Sequence, residues 1–108
     1  MQGIANLAPN GPEDGGLIVL SGSSAHYAEL FERFSHLEPA EGWPTADWYP
    51  MSHPEMIEWL INEKGCKWHK VCAPEGSLIL WDSRTVHYGA PPLKKNARIA
   101  TCEFQARA

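Results

Sequence analysis

The chain has 108 residues, 44% of them hydrophobic and 20% charged, and carries a net charge of −4. That balance excludes a disordered chain and fits a single domain of residues 1–108 with a small core and little stability to spare. It also excludes two partner classes. No basic run is longer than Lys94-Lys95, whereas nucleic-acid binding needs a basic face. No apolar run approaches the roughly 20 residues of a membrane span.

In chain order, Gly3 to Leu7 (GIANL) is a short apolar stretch that predicts a strand, and residues 9–16 (PNGPEDGG) are dense in turn formers and predict a loop. Leu17 to Leu20 (LIVL) is a continuous apolar run between glycines, as in a buried strand. Ser21-Gly22-Ser23-Ser24 reads as a tight turn and helix cap. From Ala25 to Phe34 the apolar residues Tyr27, Leu30, Phe31 and Phe34 recur at helical spacing. Residues 38–54 form a loop rich in Pro and Trp. A second helix is expected to start in a capping box, Ser52 to Glu55 with Pro54 in its first turn, to place Met56, Trp59 and Leu60 on one face, and to stop at Gly65. The rest predicts strands: Lys67 to Cys72, Ser77 to Trp81, Thr85 to Gly89 and Arg98 to Gln105.

These elements make about six strands with one helical, Trp-rich insertion over residues 25–65. Because the helices do not alternate with strands, a parallel βαβ sheet is disfavoured. The pattern predicts a mainly β domain of the sandwich or jelly-roll class. The cysteines, Cys66, Cys72 and Cys102, are odd in number and form no CxxC pair, so free thiols in a reducing compartment are the simpler reading than disulfides or zinc. The first residues, MQGIANLAPN, lack a basic segment followed by a long apolar one, and the last, Gln105-Ala106-Arg107-Ala108, are not a peroxisomal address; the expectation is cytoplasmic.

Two side chains stand out as chemistry. His87 follows a polar corner, Asp82-Ser83-Arg84, and precedes a rigid Gly-Ala-Pro-Pro exit. Arg98 sits in the next apolar strand, eleven positions later. An inward-facing arginine needs an anion, and its guanidinium matches a carboxylate with two parallel N–H bonds. A metal-binding imidazole followed by a carboxylate-binding guanidinium on successive strands is the layout of a 2-oxoglutarate site.

The stretches 3-GIANLAPNGPEDGGLIVLSGSS-24 and 76-GSLILWDSRTVHYGAPP-92, with the arginine of NARIAT, resemble the phytanoyl-CoA dioxygenase-like branch of the iron(II)/2-oxoglutarate oxygenases. They span most of the chain. The resemblance implies a double-stranded β-helix, or jelly roll, with its last six core strands present. It implies that His87 is the distal metal-ligand histidine, that Arg98 grips the far carboxylate of 2-oxoglutarate, and that the substrate is a small organic or acyl molecule. It also implies that the family's remaining ligands, a His-x-Asp or His-x-Glu pair, and its first core strands lie upstream of Met1-Gln2. One His and one Arg would hold iron(II) weakly, and unpaired strand edges would invite a homodimer.

Candidates to replace the absent pair have plainer readings. His53-Pro54-Glu55 is a His-x-Glu at a helix start, where Glu55 reads as a cap partner. Asp82 reads as ordering its corner by accepting backbone N–H bonds, Asp14 as a turn residue, and His26, His36 and His69 as surface or structural. Trp43, Trp48, Tyr49 and Trp59 read either as packing or as an apolar substrate lid. Two alternatives to an oxygenase stay open: a catalytically inactive jelly-roll remnant acting as an interaction module, and a cupin- or lectin-like binding protein that shares only the strand pattern.

Overall fold

The apolar run 17–20, bounded by glycines, forms the middle strand of a sheet, as its unbroken hydrophobicity requires. A computed structural model describes residues 1–43, 51, 53–93 and, for the backbone, 101–105. In it the strands are β1 (Gln2–Asn6), β2 (Gly16–Ser21), β3 (Lys67–Lys70), β4 (Leu78–Trp81), β5 (His87–Ala90) and β6 (Thr101–Gln105); the helices are α1 (Tyr27–Arg33) and α2 (Pro54–Asn62). Two three-stranded sheets result, ordered β4-β1-β6 and β3-β2-β5, with every pairing antiparallel. The domain is therefore mixed, with two small antiparallel sheets and two helices between β2 and β3.

Each face of β2 enters a different apolar cluster. Leu20 packs with Leu30 and Phe34 of the first helical segment, Met56 and Leu60 of α2, and Cys66. Leu17 packs with Ile4 of β1 and Trp81 of β4, with Val19, Val71 and Ile79 against them, so this cluster joins the two sheets. The alternation of side chains along a strand produces this division: residues 17 and 19 share one face, 18 and 20 the other. On β4 the same rule buries Trp81 between the sheets and leaves Leu78 and Leu80 on the outer face, 58% and 49% exposed.

The loop before β2 is pinned by its own polar groups. Asn10 exchanges backbone hydrogen bonds with Ala73 at 2.8 and 3.0 Å, and its side-chain amide donates to the Gly15 carbonyl at 2.6 Å. Lys70 Nζ donates to Asn10 Oδ1 and to the Gly11 and Val71 carbonyls. Asp14 accepts the Gly11 N–H at 2.9 Å, the turn role expected of it.

Two helix starts differ from expectation. The serines of residues 21–24 do not cap a helix: Gly22 has φ of 89°, Ser23–His26 is a 3-10 turn without a side-chain cap, and α1 begins only at Tyr27. Helix α2 is capped by His53, extended at φ −104° and ψ 106°, with no side-chain cap bond, while Ser52 lies outside the described residues. Pro54 decides this. It fixes its own φ at the first helical position and forces the preceding residue into an extended conformation. At the other end Gly65, with φ of 71°, turns the chain so that the Cys66 N–H donates to the Leu60 carbonyl at 3.0 Å.

Candidate functional site

Asp82, Ser83 and Arg84 turn the chain out of β4. The Asp82 carboxylate accepts the Arg84 backbone N–H at 2.9 Å and the Arg84 guanidinium at 2.6 Å, and the Thr85 N–H donates to the Asp82 carbonyl at 2.9 Å. The guanidinium and N–H of Arg84 hold the Asp82 carboxyl down at about 2. This is the corner-ordering role expected of Asp82, carried out at the surface.

The corner delivers His87 as the first residue of β5, half-buried. It stands opposite Val19 of β2, on the face that meets the other sheet, and its ring lies edge-on to Trp81 with centroids 5.4 Å apart. Trp81 is itself fixed by its indole N–H, which donates to Gln2 Oε1 at 3.0 Å. His87 Nδ1 lies 2.7 Å from the Thr85 carbonyl oxygen. A carbonyl can only accept, so in the neutral ring Nδ1 carries the proton and Nε2 keeps a bare lone pair. That is the tautomer and orientation a metal-ligating histidine needs.

Arg98 lies outside the described residues, as do Trp48 and Tyr49. His53 and Glu55 approach to 3.9 Å at the exposed start of α2. His26 contacts Glu29 at 3.8 Å, and Lys64 bridges to the same glutamate at 2.8 Å, tying the chain after α2 to α1. His36 lies beside the Phe34 ring. Trp59 packs against the helix-side cluster with Lys64 over its ring, and Trp43 meets Phe31 edge-on at 5.1 Å.

One placement escaped the sequence reading. His69 on β3 also stands opposite Val19, so His69 and His87 share one sheet face with Val19 between them, His69 exposed and His87 half-buried. Alternation puts residues 67 and 69 on one face, but only the register of β3 against β2 reveals which residue lies between the two imidazoles. Among the described residues no three His, Cys, Asp or Glu side chains come together as a metal cluster. Of the residues expected to serve an iron(II) site, His87 is the one that lies among the described residues. Among the described residues no helix is long and apolar enough to cross a membrane.

The chain is similar to Ava biosynthesis cluster protein O of Aspergillus versicolor, with 38% identity over 89 residues. The matched region covers 82% of this chain and 29% of that relative, so the chain spans less than a third of the protein it resembles. No family profile matches the chain, and no solved structure matches it.

Proposed function

We propose that this chain is the portion of an iron(II)/2-oxoglutarate-dependent oxygenase, of the phytanoyl-CoA dioxygenase-like type, that holds the distal metal-ligand histidine, His87, and the co-substrate arginine, Arg98. The observation that carries the reading is the imidazole of His87: its Nδ1 proton is engaged by the Thr85 carbonyl, its Nε2 is left for a metal, and its ring is set against Trp81 between the sheets. Except between β2 and β3, which share a sheet, successive strands alternate between the two sheets, with β1, β4 and β6 in one and β2, β3 and β5 in the other. That alternation supports the jelly-roll form of the fold. The WDSRTVHYG corner and the arginine eleven residues on support the family.

In this reading iron(II) supplies the oxidising chemistry once it and dioxygen are bound. His87 offers one nitrogen to it, Arg98 orients the far carboxylate of 2-oxoglutarate, and Trp81 with Ile4, Leu17 and Val19 keeps the space between the sheets dry. The other protein ligands come from outside the chain. The substrate is a small organic or acyl molecule. The relative's name, which places that protein in a biosynthesis cluster, sits well with this substrate class. The chain acts in the cytoplasm and pairs with a second copy through its open strand edges.

The test is titration with Mn(II), a redox-silent surrogate, with and without 2-oxoglutarate. The expected result is weak binding that tightens with 2-oxoglutarate, is lost in His87→Ala, and loses only the 2-oxoglutarate effect in Arg98→Ala. Binding unaffected by His87→Ala, or none at all, overturns the reading. It would favour the second one, a non-catalytic interaction module. One observation favours that module: Leu78 and Leu80 stand exposed on an outer sheet face.

A further inference from the structure

The residue before His87 is held from both sides by the end of β2. The Leu20 N–H donates to the Val86 carbonyl at 2.7 Å, one residue beyond the register of β2 with β5. Beyond β2, Gly22, in the left-handed region, turns the chain into the 3-10 segment that carries Ser23. A side chain takes over: Ser23 Oγ accepts the Val86 N–H at 2.8 Å, joining positions 63 residues apart. Ser23 is 2% exposed. A buried backbone N–H without an acceptor is costly, so this hydroxyl decides where β5 begins. Thr85 and His87 flank Val86, and they are the two ends of the bond that fixes the imidazole.

We infer that Ser23 is a positioning residue for His87: through Val86 it holds the Thr85 carbonyl and the imidazole in the geometry that keeps the proton on Nδ1 and Nε2 open. This deepens the oxygenase reading and rests on it for the metal, while the effect on the ring stands apart from it. The Ser21–Ser24 run thus serves the site, in place of the helix it precedes in sequence.

The experiment is nitrogen-detected NMR of the imidazoles at about pH 8, on the wild-type chain, Ser23→Ala and Ser23→Cys. His69 serves as the control, because it stands on the same face of the same sheet, on the other side of Val19. In the wild type His87 is the Nδ1–H tautomer. In Ser23→Ala the Nε2–H form gains population at His87, His69 is unchanged, and Mn(II) affinity falls roughly tenfold, the usual scale for an outer-shell partner. Ser23→Cys, near in size but a weak acceptor, lies between, and it decides the question if Ser23→Ala does not fold. A lower melting temperature with the His87 tautomer unchanged overturns the inference. A wild type that ignores Mn(II) overturns the oxygenase reading instead, and the tautomer measurement still decides the role of Ser23.

Discussion

The two apolar clusters of the domain share β2 but differ in depth. On the helix side Leu20, Met56 and Leu60 are fully enclosed, and Leu30, Phe34 and Cys66 nearly so. Between the sheets, among the described residues, Ile4, Leu17 and Trp81 are buried, and the imidazole of His87 stands at the edge of that cluster. Among the described residues the fully enclosed side chains lie where the helices cover the sheet, whereas the candidate histidine stands beside a smaller buried cluster.

The largest effects should follow that division. Leu60→Ala removes a fully enclosed side chain and is expected to cost about 2–5 kcal/mol, toward the upper end, by urea unfolding. Leu17→Ala should fall toward the lower end of the same range of about 2–5 kcal/mol, because Leu17 keeps some exposure where Leu60 keeps none. A Leu17→Ala cost equal to that of Leu60→Ala would break the comparison. Cys66 sharpens it. Burial pushes its thiol up, and it is enclosed in the helix-side cluster, whereas Cys72 is exposed. Alkylation of the native chain, followed by mass spectrometry, should label Cys72 readily and Cys66 only as the cluster opens.

Gly65→Ala comes next. Open space surrounds an added Cβ, but the left-handed φ of 71° remains. The expected cost is about 1–2 kcal/mol in the same unfolding assay. The smallest effects belong to the surface. Leu80→Ala should change stability by less than about 0.5 kcal/mol. Asp82 has its folded pKa lowered to about 2 from 3.8. Its contribution is therefore present above the unfolded value and lost as pH falls through about 2. The side chain is exposed, so Asp82→Asn should remove only a slight acid-side slope between about pH 4 and pH 2, read from melting temperature against pH.

Much of this was legible in the residues. Unbroken apolarity marked β2, helical spacing marked the α2 face through Met56 and Leu60, and Pro and Gly marked most boundaries. His87 was singled out by its polar corner and its apolar surroundings. What escaped depended on contacts distant in sequence. The serines near residue 23 look like a cap, because a hydroxyl before a helical pattern usually is one. Only the meeting of β2 with β5 gives Ser23 its partner at Val86. The shared face of His69 and His87 likewise follows from register, which no local pattern encodes. The shift of the α2 cap from Ser52 to His53 was local and could have been read from Pro54 alone.

The most direct test of the account uses Mn(II) as a paramagnetic probe at substoichiometric amounts, watching all five imidazoles, His26, His36, His53, His69 and His87, at once by NMR. The account predicts that the His87 signals broaden first and that 2-oxoglutarate strengthens the effect. Broadening that begins at His53, beside Glu55, or that reaches no imidazole, would contradict it.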